Sequence, residues 1–254
     1  MNREDRRKKI LEMLEAQGSV EVSNLSKLFF VSEMSIRSDL NHLATMGKLK
    51  RTHGGADRSA PINVELPLAE KRMRNQEKKA AIGRLASTLV ENGDSIMMEA
   101  GTTTEQVASC LLDTKELTVI TNGINIITIL IQNTQIRLYS LGGEIAVKSY
   151  SIVGSSAERA LEEYYAKVCI LGTDGMDLHR GLTDNSYEAA NIAKLLMKRS
   201  KKKILVCDSS KIGHIALIPV CGIGELDYIV TDSEVPKDFV EKAQAEGVQV
   251  LIAH

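Results

Sequence analysis

The stretch "VSEMSIRSDL", residues 31–40, decides how the N-terminal part of the chain folds. At 3.6 residues per turn, its apolar residues and the next leucine share one face of a helix, namely Ile36, Leu40 and Leu43. The opposite face carries Met34, Arg37, Ser38 and Asn41. One face can therefore pack into a core, while the other remains available to a partner molecule.

Two further helices are predicted before this one. Residues 3–17 place Ile10, Leu11 and Leu14 on one face, and Gly18 follows as a stop signal. A second, short helix is predicted to begin near Ser23 and to direct three apolar side chains inward, those of Leu25, Leu28 and Phe29.

The third helix is predicted from its capping residues. The chain should turn at Val31, and Ser32 can cap the helix by accepting a hydrogen bond from a free backbone N–H. The helix should run to about Met46 and end at Gly47. "KLKRTHGGA", residues 48–56, then predicts two short extended arms around a Gly–Gly pair. Three helices followed by a basic hairpin are the layout of a winged helix-turn-helix.

In this layout the polar face of the third helix is a recognition surface for double-stranded DNA. Arg37 can bond to a guanine edge or a phosphate, and Asn41 can pair with an adenine edge. The other candidate DNA contacts are Ser32, Met34, Ser35 and Ser38 in the helix, and Lys48, Lys50, Arg51 and His53 in the wing. The alternative is a small bundle of amphipathic helices with a solvated polar face. The basic hairpin directly after the third helix favours DNA.

Charge and composition bound the class of protein. The 254 residues are 43% apolar and 26% charged, which is typical of a soluble globular protein. Residues 1–60 carry 11 Lys+Arg against 8 Asp+Glu, and the remainder carries 21 against 25, so a modest basic excess lies at the N-terminal end. The sequence shows no membrane helix and no signal peptide, so a cytoplasmic protein without a membrane partner is expected. Its four cysteines are widely spaced, and neither a metal site nor a disulfide framework is expected.

From about Gln76 the pattern changes to apolar strands that alternate with helices. The predicted strands are "SIMME", "LTVIT", "IRLYSLG", "KVCILG", "KILVCD", "DYIVTD" and "VQVLIA". Helices are predicted near 77–91, 103–112, 123–132, 155–163, 186–199 and 236–246. This alternation predicts an α/β domain with a mostly parallel sheet covered on both faces. The predicted domains are thus a winged helix-turn-helix over 1–57, a linker over 58–75 and an effector-sensing domain over 76–254.

Ligands of such sheets bind at the carboxyl ends of the strands. The most informative end is "EAGTTT", residues 99–104. Its glycine allows close backbone approach, and the N-terminal N–H groups and dipole of the following helix favour an anion, so Gly101 to Thr104 can hold a phosphate. The alternative is a plain helix cap made by Thr102 or Thr103.

Other polar residues follow neighbouring strands. Lys211 can supply a counter-charge, and the aspartates at 174, 177 and 184 can bond to sugar hydroxyls or simply cap loops. The full set of candidate effector contacts is Glu99, Gly101, Thr102, Thr103, Thr104, Thr121, Asn122, Gly142, Gly143, Asp174, Asp184, Glu188, Asp208 and Lys211. Together they predict a small polyhydroxylated anion as ligand. No nucleotide phosphate-binding loop and no GxSxG motif is present, and no cofactor is expected.

Several motifs together resemble those of a known family. "VSEMSIRSDLNHLATMGKLKRTHGGA" resembles the N-terminal signature of the DeoR family of bacterial sugar-operon regulators. "MEAGTTT", "VITNG", "LGGE", "GTDG", "EAANIAKLLM" and "VCDSSK" follow in the order of its sensor motifs. The resemblance implies a transcriptional repressor whose sensor resembles the sugar-phosphate isomerase fold and binds a phosphorylated sugar or related metabolite. Two positions depart from the family pattern: Ser38 stands where a second arginine is usual, and Glu99 where an aspartate is usual.

Two other functions remain open from sequence. "GTDGMDLHRGLTD" resembles the aspartate-bearing segment of ribose-5-phosphate isomerases, but their Lys-Gly-Gly-Gly run is missing and Glu188 is unsupported as a base. A non-enzyme is therefore expected. A transcriptional activator with the same parts is the other alternative. Because helix-turn-helix proteins commonly bind paired half-sites, an even-numbered assembly is expected, a homodimer or homotetramer.

Overall fold

A computed structural model describes residues 3–45, 49–52, 54–58 and 66–254 of the chain. The chain divides into two compact units, Met1–Val64 and Glu65–His254. Within the described ranges, no helix is long and apolar enough to cross a membrane.

The first unit has three helices and a small antiparallel sheet. The helices are α1 (Arg3–Gln17), α2 (Val22–Phe29) and α3 (Glu33–Thr45), and the strands are β1 (Ser19–Glu21), β2 (Leu49–Arg51) and β3 (Gly55–Arg58). The strand order is β1-β3-β2. Gly18 ends α1 with a φ of 76°, a left-handed conformation that glycine adopts without strain. This arrangement confirms the predicted winged helix-turn-helix.

The core of the first unit contains the predicted apolar face of α3, because Ile36, Leu40 and Leu43 are all buried. The prediction for Leu28 is wrong, since that residue is 53% exposed. On α2 the inward residues are Val22, Leu25 and Phe29, whose spacing keeps them within one narrow stripe. Leu28 lies about 100° away from that stripe at the helical repeat. The turn itself is made by Phe30, which has a left-handed φ of 53°.

The second unit is built on a seven-stranded parallel sheet. Its strands are β4 (Ser95–Met98), β5 (Thr118–Thr121), β6 (Arg137–Ser140), β9 (Ala166–Leu171), β12 (Ser200–Val206), β14 (Tyr228–Asp232) and β15 (Gln249–Ala253). Their order in the sheet is β15-β14-β12-β9-β4-β5-β6. All seven match the predicted strands, so the predicted α/β fold is confirmed.

Helices cover both faces of this sheet. They are α5 (Gln76–Ser87), α6 (Thr102–Cys110), α7 (Ile124–Leu130), α8 (Ser155–Leu161), α9 (Tyr187–Lys198) and α10 (Lys237–Ala245). In β4, Met97 packs in the core that contains residues of α8, α9 and α10. Ile96 and Met98 point to the other face and pack in the core that contains residues of α5, α6 and α7. Because residues 96–98 are buried on both faces of the sheet, they are all apolar and show no alternation.

Three features of the second unit were not predicted. One is a hairpin of β7 (Glu144–Ala146) and β8 (Ser151–Val153). Another is a small antiparallel sheet of β10 (Gly175–Asp177), β11 (Gly181–Asp184) and β13 (Ile218–Cys221). The third is α4 (Leu68–Met73), which lies inside the segment predicted as a linker. Because α4 belongs to the second compact unit, residues 66–75 are not a linker. The other domain limits remain predictions.

Candidate DNA-binding surface and effector site

The outward face of α3 is a polar surface with one apolar side chain. Met34, Arg37, Ser38 and Asn41 are exposed, as their spacing predicts. The N–H of Ser35 donates to the Ser32 hydroxyl oxygen at 3.3 Å, so Ser32 caps the helix as expected. These side chains form one continuous strip on α3.

Two predicted DNA contacts on this strip already have partners. Arg37 forms an ion pair with Glu33 at 3.1 Å, in which both side chains are more than half exposed. Exposed pairs of this kind contribute about 0.3–0.5 kcal/mol, so Arg37 can exchange Glu33 for DNA at small cost. Asn41 accepts a hydrogen bond from Arg51 in β2 at 2.9 Å, which ties the helix to the wing. Lys48, His53 and the side chain of Lys50, the other predicted wing contacts, lie outside the described residues.

A buried ion cluster behind α3 was missed by the sequence analysis. Asp39 is fully buried, and its two carboxylate oxygens accept from Arg6 at 2.7 Å and Arg7 at 2.8 Å, both on α1. Asp39 adjoins the exposed strip in sequence but points inward. The cluster therefore fixes α3 to α1. Only the helical phase of Asp39, next to buried Ile36 and Leu40, could have indicated it.

The candidate effector residues meet at the carboxyl edge of the large sheet. The predicted segments follow β4, β5, β6, β9 and β12, which are neighbours in the sheet. Parallel strands place all these ends at one edge, as the sequence analysis assumed. The loops after β4, β9 and β12 supply four charged members of the set, namely Glu99, Asp174, Asp208 and Lys211, whereas Asp184 ends β11 and Glu188 lies in α9.

The N-terminal turn of α6 is the predicted anion-binding element. Gly101 is the N-cap residue, and its carbonyl accepts from the N–H of Glu105 at 3.1 Å. Neither Thr102 nor Thr103 occupies the cap position, so the plain-cap interpretation is wrong for both. The Thr104 hydroxyl donates to the Gly101 carbonyl at 3.1 Å and is fully buried. No side chain caps the N–H groups of this turn in the described part of the chain.

Thr121 and Asn122 are buried and bonded inside the protein. The Thr121 hydroxyl donates to the Met98 carbonyl at 2.7 Å and accepts from the N–H of Gly123 at 2.9 Å. The Asn122 Oδ1 accepts from the N–H of Ala100 at 2.9 Å. These bonds fix the loop that precedes Gly101, so a positioning role fits both residues better than direct contact with a ligand.

Asn125 was missed by the sequence analysis although it contacts the same turn. Its side-chain amide donates to the Gly101 carbonyl and to the Glu105 carboxylate, both at 2.9 Å. The side chain is almost fully buried, and its Oδ1 has no hydrogen-bond partner among the described residues. This oxygen lies close to Gly123, because a Cβ at that glycine would be 3.0 Å from it. An unpartnered buried acceptor costs free energy.

Glu99 lies under the edge, between the loops after β4 and β9. Its carboxylate is 5% exposed and accepts from the N–H of Gly172 at 2.9 Å. Burial, helped by the nearby carboxylates of Asp184 and Asp174, raises the pKa of Glu99 well above its usual value. The Gly172 bond and Lys71 act in the opposite direction but are outweighed. The buried position of Glu99 therefore favours its protonated form more than water does.

Asp174 is the charged counterpart of Glu99. Its carboxylate accepts from Lys71 at 2.8 Å and from Asn185 at 3.1 Å, and the Lys211 ammonium lies 3.7 Å away. Burial alone would raise the pKa of Asp174, but Lys71 and Lys211 outweigh it and hold the pKa below its usual value. Lys71 lies on α4, so the unpredicted helix contributes directly to this edge.

Three other predicted effector contacts have hydrogen-bond partners within the second unit. Asp208 is buried and accepts from Asn75 at 3.0 Å and from the N–H of Ser210 at 3.1 Å. Asp184 and Glu188 are more exposed and bond to Ser186 at the start of α9, each at 3.0 Å.

Close packing explains one glycine of the pair after β6, namely Gly143. A Cβ at Gly143 would be 2.6 Å from the Val153 carbonyl, whereas one at Gly142 would meet nothing within 4 Å. Gly143 is thus required by the β7–β8 hairpin, not by a ligand. Gly142 remains open to the edge.

A winged helix-turn-helix followed by an α/β unit with a polar site at its sheet edge defines a class of protein, the DNA-binding transcriptional regulators with a sensor domain. Residues 6–61 match the DeoR-like helix-turn-helix domain, and residues 74–233 match the DeoR C terminal sensor domain. The chain belongs to the DeoR family, as its motifs indicated.

Relatives with curated names agree with this assignment. The transcriptional repressor AccR of Agrobacterium fabrum is 33% identical, with 91% of this chain and 90% of the relative covered. The glycerol-3-phosphate regulon repressor of Escherichia coli K12 is 28% identical, with 98% of this chain and 99% of the relative covered.

A solved structure of D-ribose-5-phosphate isomerase with phospho-erythronic acid is 17% identical, with 55% of each chain covered and a TM-score of 0.42.

Proposed function

We propose that this protein is a transcriptional repressor of a carbohydrate-utilisation operon and that a phosphorylated sugar or related metabolite releases it from its operator. The observation that carries the proposal is the N-terminal turn of α6, whose N–H groups no described side chain caps, at the same sheet edge as Lys71 and Lys211. Relatives named as repressors support the direction of regulation. Such a regulator acts on the chromosome in the bacterial cytoplasm.

The polar groups at the edge also favour a sugar. The lysines at positions 71 and 211 can donate hydrogen bonds, whereas Asp174 and Asp184 can accept from hydroxyl groups. A ligand with both a phosphate and several hydroxyl groups would satisfy donors and acceptors together. The contacts proposed for it are those predicted from the sequence except Gly143, whose packing against Val153 explains it, with Thr121 and Asn122 as positioning residues.

A thermal-shift screen of the full-length chain tests the proposal. Glycerol 3-phosphate, fructose 6-phosphate, ribose 5-phosphate and N-acetylglucosamine 6-phosphate form a suitable panel, with the unphosphorylated sugars as matched controls. A ligand that binds only the folded state raises the melting temperature. At a ligand concentration of 100 times its Kd, the free energy of unfolding rises by about 2.7 kcal/mol. At least one phosphorylated compound should act and its unphosphorylated form should not. Equal shifts for both members of each pair would contradict a phosphate site.

We propose that the chain is not an enzyme. Its curated relatives carry regulator names, and the Lys-Gly-Gly-Gly run of the isomerases is absent from the sequence. A coupled assay for ketose formation from ribose 5-phosphate should show no turnover above background. The operator-bound form is proposed to be a homodimer or homotetramer, which sedimentation on labelled DNA would measure.

Arg37→Ala is expected to weaken operator binding by roughly 1–3 kcal/mol, because Arg37 is exposed at the centre of the strip and can pair bidentately with guanine. The loss should be larger on the operator than on random DNA, as measured by fluorescence anisotropy. Glu33→Gln is the matched control, since it breaks the same surface ion pair without removing the arginine. Equal losses on both DNAs would make Arg37 a phosphate contact, and no loss would contradict insertion of α3 into the groove.

Ser38→Arg is expected to tighten DNA binding, because it adds a positive charge at an exposed position of α3. The slope of log K against log salt should steepen by up to about one per added phosphate contact per chain. Ser38→Gln, which is long but uncharged, separates charge from size. An unchanged salt slope for Ser38→Arg would show that residue 38 faces away from the DNA backbone.

A further inference from the structure

The helix α4 is attached to the effector edge by two ion pairs. Lys71 bonds to Asp174 at 2.8 Å in the loop after β9. Arg72 bonds to Glu105 through two parallel contacts of 2.8 Å each, and Glu105 lies in the first turn of α6. Consecutive residues of one short helix thus contact both the loop after β9 and the first turn of α6, the two segments that are proposed to hold the effector.

Glu105 is already the anion at the N-terminal end of α6. A carboxylate in the first turn is favoured by the helix dipole, and this one also accepts from Asn125. Its side chain is only 10% exposed, whereas that of Arg72 is 46% exposed. A phosphate held by the N–H groups of Gly101 to Thr104 would place a second, stronger negative charge on the same turn. The Glu105 carboxylate and the ligand's phosphate would repel each other at this partly buried site, and both would compete for the nearest cation.

The cation in that position is Arg72. A guanidinium forms bidentate bonds to phosphate as readily as to carboxylate, so Arg72 can change partner without losing its paired geometry. Its exposed side chain leaves it room to turn. Lys71 cannot replace it, because Lys71 is held by Asp174 at the neighbouring loop.

We propose that Arg72 is a ligand-contact residue that exchanges the Glu105 carboxylate for the anionic group of the effector. This inference rests on the proposed function, since it needs an anion on the first turn of α6. Glu105 then acts as an internal competitor that sets how much ligand is required. Because α4 is the first helix of the second unit, ligand binding would break the Arg72–Glu105 ion pair that attaches the start of this unit to α6.

Opposite effects of Arg72→Gln and Glu105→Gln test the exchange. Inorganic phosphate is the probe, titrated into the full-length chain at constant ionic strength, and binding is followed by melting temperature and by hydrogen exchange of residues 101–110. Arg72→Gln should require roughly 10-fold more phosphate, and Glu105→Gln roughly 3- to 10-fold less. Glu70→Gln, an exposed charge on the same helix, is the control and should match the parent.

A merely structural ion pair would give a different pattern, in which both variants weaken phosphate binding or neither changes it, and either result would overturn the exchange. If Glu105→Gln folds poorly, Arg72→Lys provides a second test. A lysine keeps the positive charge but cannot form the bidentate bonds, so this variant should bind phosphate with intermediate affinity. Affinity equal to the parent for both Arg72 variants would also overturn the proposal.

The parent and Thr102→Asp separate this inference from the proposed function. If phosphate neither stabilises the parent nor protects residues 101–110, the phosphate site fails and the exchange fails with it. If phosphate binds the parent and Thr102→Asp abolishes the binding, the site stands. The Arg72 and Glu105 variants then decide the exchange alone.

Discussion

Thr102→Asp is expected to produce a repressor that binds its operator normally and no longer responds to its effector. Thr102 is a buried residue in the first turn of α6, so a carboxylate there would lie where the ligand's phosphate is proposed to bind. Like charges in a partly dry pocket exclude the ligand. The parent's operator affinity should change about 5- to 150-fold with ligand, and that of the variant hardly at all.

Thr102→Asn is the matched control for this experiment. Asparagine has nearly the shape of aspartate but no charge, so it should retain a measurable response if charge is the cause. Fluorescence anisotropy on labelled operator, with and without the ligand found by thermal shift, measures both variants. An acidic residue near the start of a helix is favoured by the dipole, so Thr102→Asp should still fold. A full response by Thr102→Asp would place the phosphate elsewhere.

Asp39→Ala is expected to destabilise the first unit by about 3–5 kcal/mol, because it leaves Arg6 and Arg7 without the carboxylate that neutralises them in a buried place. For a unit of this size that is a large part of the total stability, so DNA binding should be lost at growth temperature. The loss would occur although Asp39 itself touches no DNA.

Hydrogen exchange resolves this effect within the full-length chain. All six tyrosines lie in the second unit, so tyrosine spectroscopic signals report only on that unit. Hydrogen exchange of peptides from residues 3–45 reports on the first unit. Those peptides should exchange faster in Asp39→Ala, and peptides of the second unit should not change. Asp57→Ala, at an exposed position in β3, is the matched control and should shift stability by less than about 0.5 kcal/mol. Unchanged exchange in Asp39→Ala would mean that the cluster does not hold α1 to α3.

Much of the candidate site could be predicted because its residues belong to local patterns. Gly101 to Thr104 follow an apolar strand and open a helix, and the exposed positions of α3 repeat at the helical period. Such signals depend on residues only a few positions apart. The roles of Gly143 and Thr121 could not be predicted in the same way, since their partners, Val153 and Met98, come from other strands.

The sequence alone determined the two kinds of domain, the three helices with their wing and all seven strands of the parallel sheet, and it predicts the edge where a ligand is proposed to bind. Periodicity, capping residues and strand ends are local properties, so they can be read along the chain. The tertiary structure alone decided which charges meet. Arg6 and Asp39 are 33 residues apart, as are Arg72 and Glu105, and Lys71 and Asp174 are 103 apart. No local pattern encodes such pairs, because they form only when packing of the apolar faces brings distant helices and loops together.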